Sequence, residues 1–134
     1  MLSINKEEEK GHLIIRLEGE VDASNSVELD EVIQEVLNDG IKDILVDAYK
    51  LQYISSAGLG VFMSYLEDFK ENNVLFIIYG LNEKVMNVFH ILGLDQLITI
   101  TSTKEEAEKL LHEAWIKAIL WKKSVGRITD IYVK

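Results

Sequence analysis

Ile44-Leu45-Val46-Asp47, then Ala48-Tyr49-Lys50-Leu51-Gln52-Tyr53-Ile54, then Ser55-Ser56-Ala57-Gly58-Leu59 carry the change of period on which the fold turns. The first three residues form a solid apolar run closed by an acid, the pattern of a strand covered on both faces. Beyond the two serines, Leu59, Phe62, Met63, Leu66 and Phe69 recur at helical spacing, so a helix begins near Ser55-Ser56. The same alternation continues downstream. Val74 to Tyr79 is apolar throughout and bounded by Asn73 and Gly80, a second covered strand. Val85, Val88, Phe89 and Leu92 mark a helix capped by Asn82 and stopped at Gly93. Leu97 to Thr101 reads as β structure. Thr103 with Glu106 is a capping box ahead of the stripe Ala107, Leu110, Leu111, Ala114 and Ala118.

Upstream the pattern differs. Residues 2–8 and 12–18 read as two strands around a turn at Gly11, with Leu13, Ile15 and Leu17 alternating with Ile14, Arg16 and Glu18. Gly19-Glu20-Val21-Asp22 breaks that alternation. From Asn25 the period is helical through Leu29, Val32, Ile33, Val36 and Leu37; Asn25 with Glu28 reads as a variant capping box, and Gly40 closes the segment. The order β-β-α-β-α-β-α-β-α predicts an α/β fold. It has an N-terminal β-hairpin followed by alternating β/α elements, giving a mixed, mostly parallel sheet of about five strands with about four helices.

Composition narrows the chemistry. The 134 residues suit one domain with one core, and 48% apolar with 28% charged residues is globular. The absence of cysteine excludes disulfides, thiolate metal sites and cysteine nucleophiles, and the three histidines form no ligand motif. No catalytic residue, metal or cofactor is assigned. A net charge of −9 repels nucleic-acid phosphates and anionic membranes. The early Lys6-Glu7-Glu8-Glu9-Lys10 run is unlike a secretory leader, and no apolar stretch reaches membrane-spanning length. The expectation is a soluble, cytoplasmic, acidic domain.

Sites in α/β folds lie outside the carboxyl ends of strands, which directs attention to three junctions: Gly19–Ser26, Asp47–Gly58 and Gly80–Asn82. The second is the most unusual, because two serines stand at a helix N-terminus. First-turn amides lack intrahelical acceptors and sum to about half a positive charge, so a phosphate on such a serine meets a favourable field. Gly58 leaves the first turn unobstructed, while Leu59, Phe62 and Met63 anchor the helix. Serine at this place is also an ordinary helix cap, and the residues alone leave both roles open.

The wider pattern adds to this. Ile54-Ser55-Ser56-Ala57-Gly58-Leu59-Gly60-Val61-Phe62 resembles the phosphorylation motif of the anti-sigma factor antagonists of the STAS-domain family. Leu17-Glu18-Gly19-Glu20-Val21-Asp22, Ile44-Leu45-Val46-Asp47 and Leu94 after Gly93 extend the resemblance over roughly residues 3–114. It implies that Ser56 is the serine phosphorylated by a partner kinase, and that Asp22, Ser55, Ser56, Ala57, Gly58 and Leu59 form the partner-binding surface. Ser55 departs from the pattern, since many members carry Asp there. The implied mechanism is a partner switch without enzymatic activity of its own. Unmodified, the domain binds an anti-sigma factor that is also a serine kinase; phosphorylation on Ser56 releases it, and a cognate phosphatase restores binding.

Three other readings compete. A serine hydrolase would need glycine at Ile54 to complete its nucleophile elbow and would draw on Asp95 and His112. A phospho-acceptor receiver would use Asp47 at a strand end and needs clustered acids near the end of the first strand, whereas Glu20 and Asp22 follow the second. A STAS scaffold or transporter-associated module would share the fold without the phosphorylation cycle. The expected division is a domain over residues 1–114 and a C-terminal extension over 115–134. In the extension, Trp115, Ile116, Ile119, Leu120 and Trp121 are apolar around most of the helix, and Ser124-Val125-Gly126 is expected to break it before an apolar tail. That extension either covers itself or forms a homodimer or partner surface.

Overall fold

A computed structural model describes the backbone of residues 1–133 and the side chains of residues 1–124. Strands β1 (Leu2–Glu9) and β2 (His12–Val21) form the expected hairpin, joined by Lys10 and Gly11. Both residues adopt positive φ, 51° and 87°, which closes a two-residue turn whose twist matches its strands. Then follow α1 (Ser26–Asn38), β3 (Asp43–Ile54), α2 (Ser56–Glu71), β4 (Leu75–Tyr79), α3 (Glu83–Ile91), a 3-10 turn (Leu94–Gln96), β5 (Thr99–Thr101) and α4 (Lys104–Val133).

The five strands lie in chain order, β1-β2-β3-β4-β5, with β1 antiparallel to β2 and every later neighbour parallel. Because the order never reverses, right-handed crossovers place α1, α2 and α3 on one face of the sheet. That face holds the main core: Leu29, Ile33 and Val36 from α1, Leu59, Phe62, Tyr65 and Phe69 from α2, and Val85 and Phe89 from α3. They pack on Leu13, Ile15, Leu17, Ile44, Val46, Phe76 and Ile78. Among the described residues the opposite face is covered by α4, whose Ala107 and Leu111 rest on Ile14, Leu45, Ile77 and Tyr79.

Four local expectations need correction. The Gly19-Glu20-Val21 segment does not end β2; it continues in the strand and pairs with Leu51, Tyr53 and Ile54. Nor does β3 stop at Asp47, since it runs on to Ile54. Met63 is half exposed, and Tyr65 takes its place in the core, its hydroxyl donating to Asp30 Oδ1 at 2.7 Å. Finally, α4 does not break at Ser124-Val125-Gly126. A single interior glycine costs a helix only about 1 kcal/mol, and the chain has no proline to force a stop. The apolar tail beyond Ser124 lies outside the described side chains.

Candidate functional site

The carboxyl ends of β2, β3 and β4 bring the three junctions to one end of the sheet. The Ser55 amide donates to the Val21 carbonyl at 2.8 Å, so the loop after β2 and the start of α2 leave from adjoining strand ends. Asn82 ties in the third loop: its Nδ2 donates to the Leu51 carbonyl at 3.1 Å, and its Oδ1 caps α3 by accepting from the Val85 amide at 2.8 Å.

The two serines divide the roles that the sequence left open. Ser55 is the cap of α2; its backbone is extended, and its Oγ accepts from the Gly58 amide at 3.3 Å. Ser56 is the first helical residue and is exposed. Gly58 is buried, and its use is packing. A Cβ there would stand 2.6 Å from Val21 Cγ1 and 2.7 Å from Ile54 Cγ1, so only glycine lets α2 approach the strand ends this closely. Leu59 is buried beneath. Of the expected surface, Asp22, Ser55, Ser56 and Ala57 reach solvent, whereas Gly58 and Leu59 hold the helix in place.

Electrostatics at this end follow from the first turns. α1, α3 and α4 each carry an acid there, Glu28, Glu83 and Glu105-Glu106, but α2 carries none. The field of the α2 N-terminus is therefore uncompensated by its own side chains. Asp22 makes a tight local turn, its Oδ1 accepting from the Ser24 hydroxyl at 2.6 Å and the Ser24 amide at 2.9 Å. These bonds to Ser24 hold its carboxyl below the usual aspartate range. Asn25 does not cap α1 as expected. Its side chain instead accepts from the Asp22 amide at 2.9 Å and donates to the Glu20 carbonyl at 3.0 Å, locking the same turn.

Sequence reasoning missed a groove beside Ser56. It measures about 340 Å³ and runs between the end of β3 and α3, lined by Tyr53, Ser56, Leu59, Lys84, Val88 and Leu92. Tyr53 and Leu92 are exposed, and the Lys84 ammonium sits 6.0 Å above the Tyr53 ring. The aromatic Tyr53, three residues before Ser56, was the signal the sequence offered.

The competing chemistries are not assembled. Asp95 Oδ2 pairs with His90 Nδ1 at 2.7 Å, and His112 lies on α4, which covers the sheet face opposite α2. Ser56, Asp95 and His112 therefore do not meet. Asp47 is a mid-strand residue, buried and bonded to Arg16 Nε at 3.2 Å, and not the strand-end acid a receiver needs. Beside it, burial and the Asp47 charge lift the Tyr79 phenol above its ordinary range. Among the described residues no group of acids and histidines could hold a metal ion.

Comparison with known proteins agrees with this geometry. The sequence profile of the STAS domain matches residues 3–107. The anti-sigma-B factor antagonist of Staphylococcus aureus is 31% identical over 91 residues, 68% of this chain and 84% of the relative. An anti-sigma factor antagonist from Mycobacterium paratuberculosis shares the fold with a TM-score of 0.77 at 19% identity, over 84% of this chain and 95% of that one. The phosphorylated form of the Bacillus cell fate determinant SpoIIAA superposes with a TM-score of 0.63 at 21% identity, over 81% and 99%. Strand order, the serine-led helix and these matches together make the chain a member of the STAS-domain family of anti-sigma factor antagonists.

Proposed function

We propose that this chain is the antagonist in a phosphorylation-controlled partner switch. Unmodified, it binds an anti-sigma factor that is also a serine kinase, through Asp22, Ser55, Ser56, Ala57 and the groove beside them. The kinase transfers the γ-phosphoryl group of ATP to Ser56 Oγ; the bond to the ADP oxygen breaks, and the hydroxyl proton leaves to a base on the kinase. A phosphatase reverses the modification by hydrolysis. The chain itself catalyses nothing; Gly58 holds α2 against the strand ends, and Leu59 does so while lining the groove.

One observation carries this reading: Ser55 takes the capping role, which leaves the Ser56 hydroxyl exposed at a helix start with no acid in its first turn. A phosphate there adds about 1.5–2 negative charges to a surface that must otherwise be desolvated against the partner. Burying such a charge without a partner costs several kcal/mol, or orders of magnitude in affinity. That SpoIIAA, a protein of the same fold, exists in a phosphorylated form supports the chemistry.

The test is incubation with ATP and the candidate kinase, followed by mass mapping of the modified residue. The expected product carries one phosphate on Ser56, and Ser56→Ala stays unmodified while still binding in calorimetry. Ser56→Asp is expected to bind more weakly. Phosphate on Ser55, or equal binding by modified and unmodified chains, refutes the switch. A STAS scaffold without this cycle is the second reading, favoured by the exposed apolar side chains of α4.

A further inference from the structure

The last helix outruns the sheet it covers. Ala107 and Leu111 are buried, and the Trp115 ring lies over Gly11 while its Nε1 donates to Asp43 Oδ2 at 2.9 Å. Beyond that point Ile116, Ile119, Leu120 and Trp121 are 43–70% exposed. With Trp115 they present on the order of 500 Å² of apolar surface, the upper end of what a monomer leaves open.

Charge is divided along the chain in the same place. Residues 1–114 hold nine basic and twenty-two acidic side chains, net −13, whereas residues 115–134 hold five basic and one acidic, net +4. Within α4 the order is finer. Glu105, Glu108, His112, Trp115, Ile116, Ile119 and Lys123 recur at three- and four-residue intervals and so share one helical face. That face reads acid, then apolar, then base. Glu108 is only loosely engaged by Lys10, at 3.8 Å.

We propose that this face of α4 pairs antiparallel with the same face of a second copy of the chain. A two-fold axis near residues 115–116 sets Trp115 against Ile116 of the partner subunit, and Glu108 against Lys123 of the partner subunit. Trp115, Ile116 and Ile119, the apolar residues on this face, bury on the order of 600 Å² across two copies, and the charged ends add the rest of a small, reversible interface. An anionic lipid surface is the poorer occupant. It would meet the acidic end of the same face and be repelled by a domain of net charge −13.

Sedimentation velocity of the full chain over a wide concentration range tests this, with circular dichroism to confirm folding of each variant. The expected result is a reversible dimer whose dissociation constant rises more than about tenfold in Ile119→Glu. Lys123→Glu is expected to weaken the dimer, and adding Glu108→Lys to the same chain is expected to restore it, because each interface then regains opposite charges. A chain that stays monomeric throughout, or Ile119→Glu dimerising as well as the native chain, overturns the proposal. So does a monomer that cofloats with phosphatidylglycerol vesicles.

Discussion

Ser55 has φ −84° and ψ 173°, an extended backbone that brings its Oγ back to the Gly58 amide, while Ser56 one residue later is already helical. Equal side chains in adjacent positions therefore have unequal energetic roles. Ser55→Ala is expected to lower stability by about 1 kcal/mol through loss of the cap. Ser56→Ala is expected to stay within about 0.5 kcal/mol of the native chain, as exposed substitutions do. Urea denaturation of the two variants measures the difference. Similar losses from both would mean that Ser56 shares in holding the helix. The sequence could not assign the roles, because either serine satisfies the capping pattern and only the observed helix start separates them. The two glycines of the α2 first turns divide in the same manner. Gly58→Ala forces a Cβ against Val21 and Ile54 and is expected to cost about 1–3 kcal/mol. Gly60 is exposed with nothing within 4 Å of an added Cβ, so Gly60→Ala is expected to stabilise by up to about 1 kcal/mol.

At the scale of elements, β3 shows where reading by period fails. Against β2, Arg16 pairs with Asp47, Glu18 with Lys50 and Glu20 with Tyr53, so β3 gains one extra residue at each of two bulges. Its buried positions beyond Asp47 are Ala48, Leu51 and Ile54, a spacing of three that breaks the two-residue alternation of a strand. The covered half, Ile44 to Val46, was legible because solid apolar runs survive any register; the bulged half read as a loop. Yet those bulges carry the chain to Ser55 and aim Tyr53 into the groove. The element that holds the far wall of this groove is α3, fixed to β3 by Asn82. Asn82→Ala removes both the cap and the bond to the Leu51 carbonyl, and is expected to cost about 1–2 kcal/mol. Asn82→Asp keeps an acceptor for the Val85 amide but loses the Nδ2 donor, so it should fall between native and Ala. Hydrogen exchange at Val85 reports the cap directly. Equal protection in all three proteins would show that α3 is held by Val85 and Phe89 packing alone.

For the whole molecule, two opposing effects set the response to acid. The chain carries a net charge of −9, so protonating carboxylates from neutral pH first relieves self-repulsion. Against this stand carboxyls that the fold holds ionised. The bond from Lys104 Nζ, at 3.0 Å to both oxygens, holds Glu9 below the ordinary value of 4.5, and Ser24 holds Asp22 below 3.8. A carboxyl depressed by folding contributes stability that is present above its unfolded pKa and lost as pH falls through its folded one. The two effects therefore act in different windows, relief above about pH 5 and loss below about pH 4. Stability is expected to rise slightly from pH 7 toward pH 5 and then to fall. Glu9 joins β1 to the start of α4, the helix that covers this face, so that fall should begin with α4 leaving the sheet. Urea titrations across pH, with hydrogen exchange at Ala107 and Leu111, follow both steps. Glu9→Gln is expected to shrink the acid loss and to expose those two amides already at neutral pH. If its acid profile matched the native one, the Lys104 contact would contribute nothing to holding α4 in place.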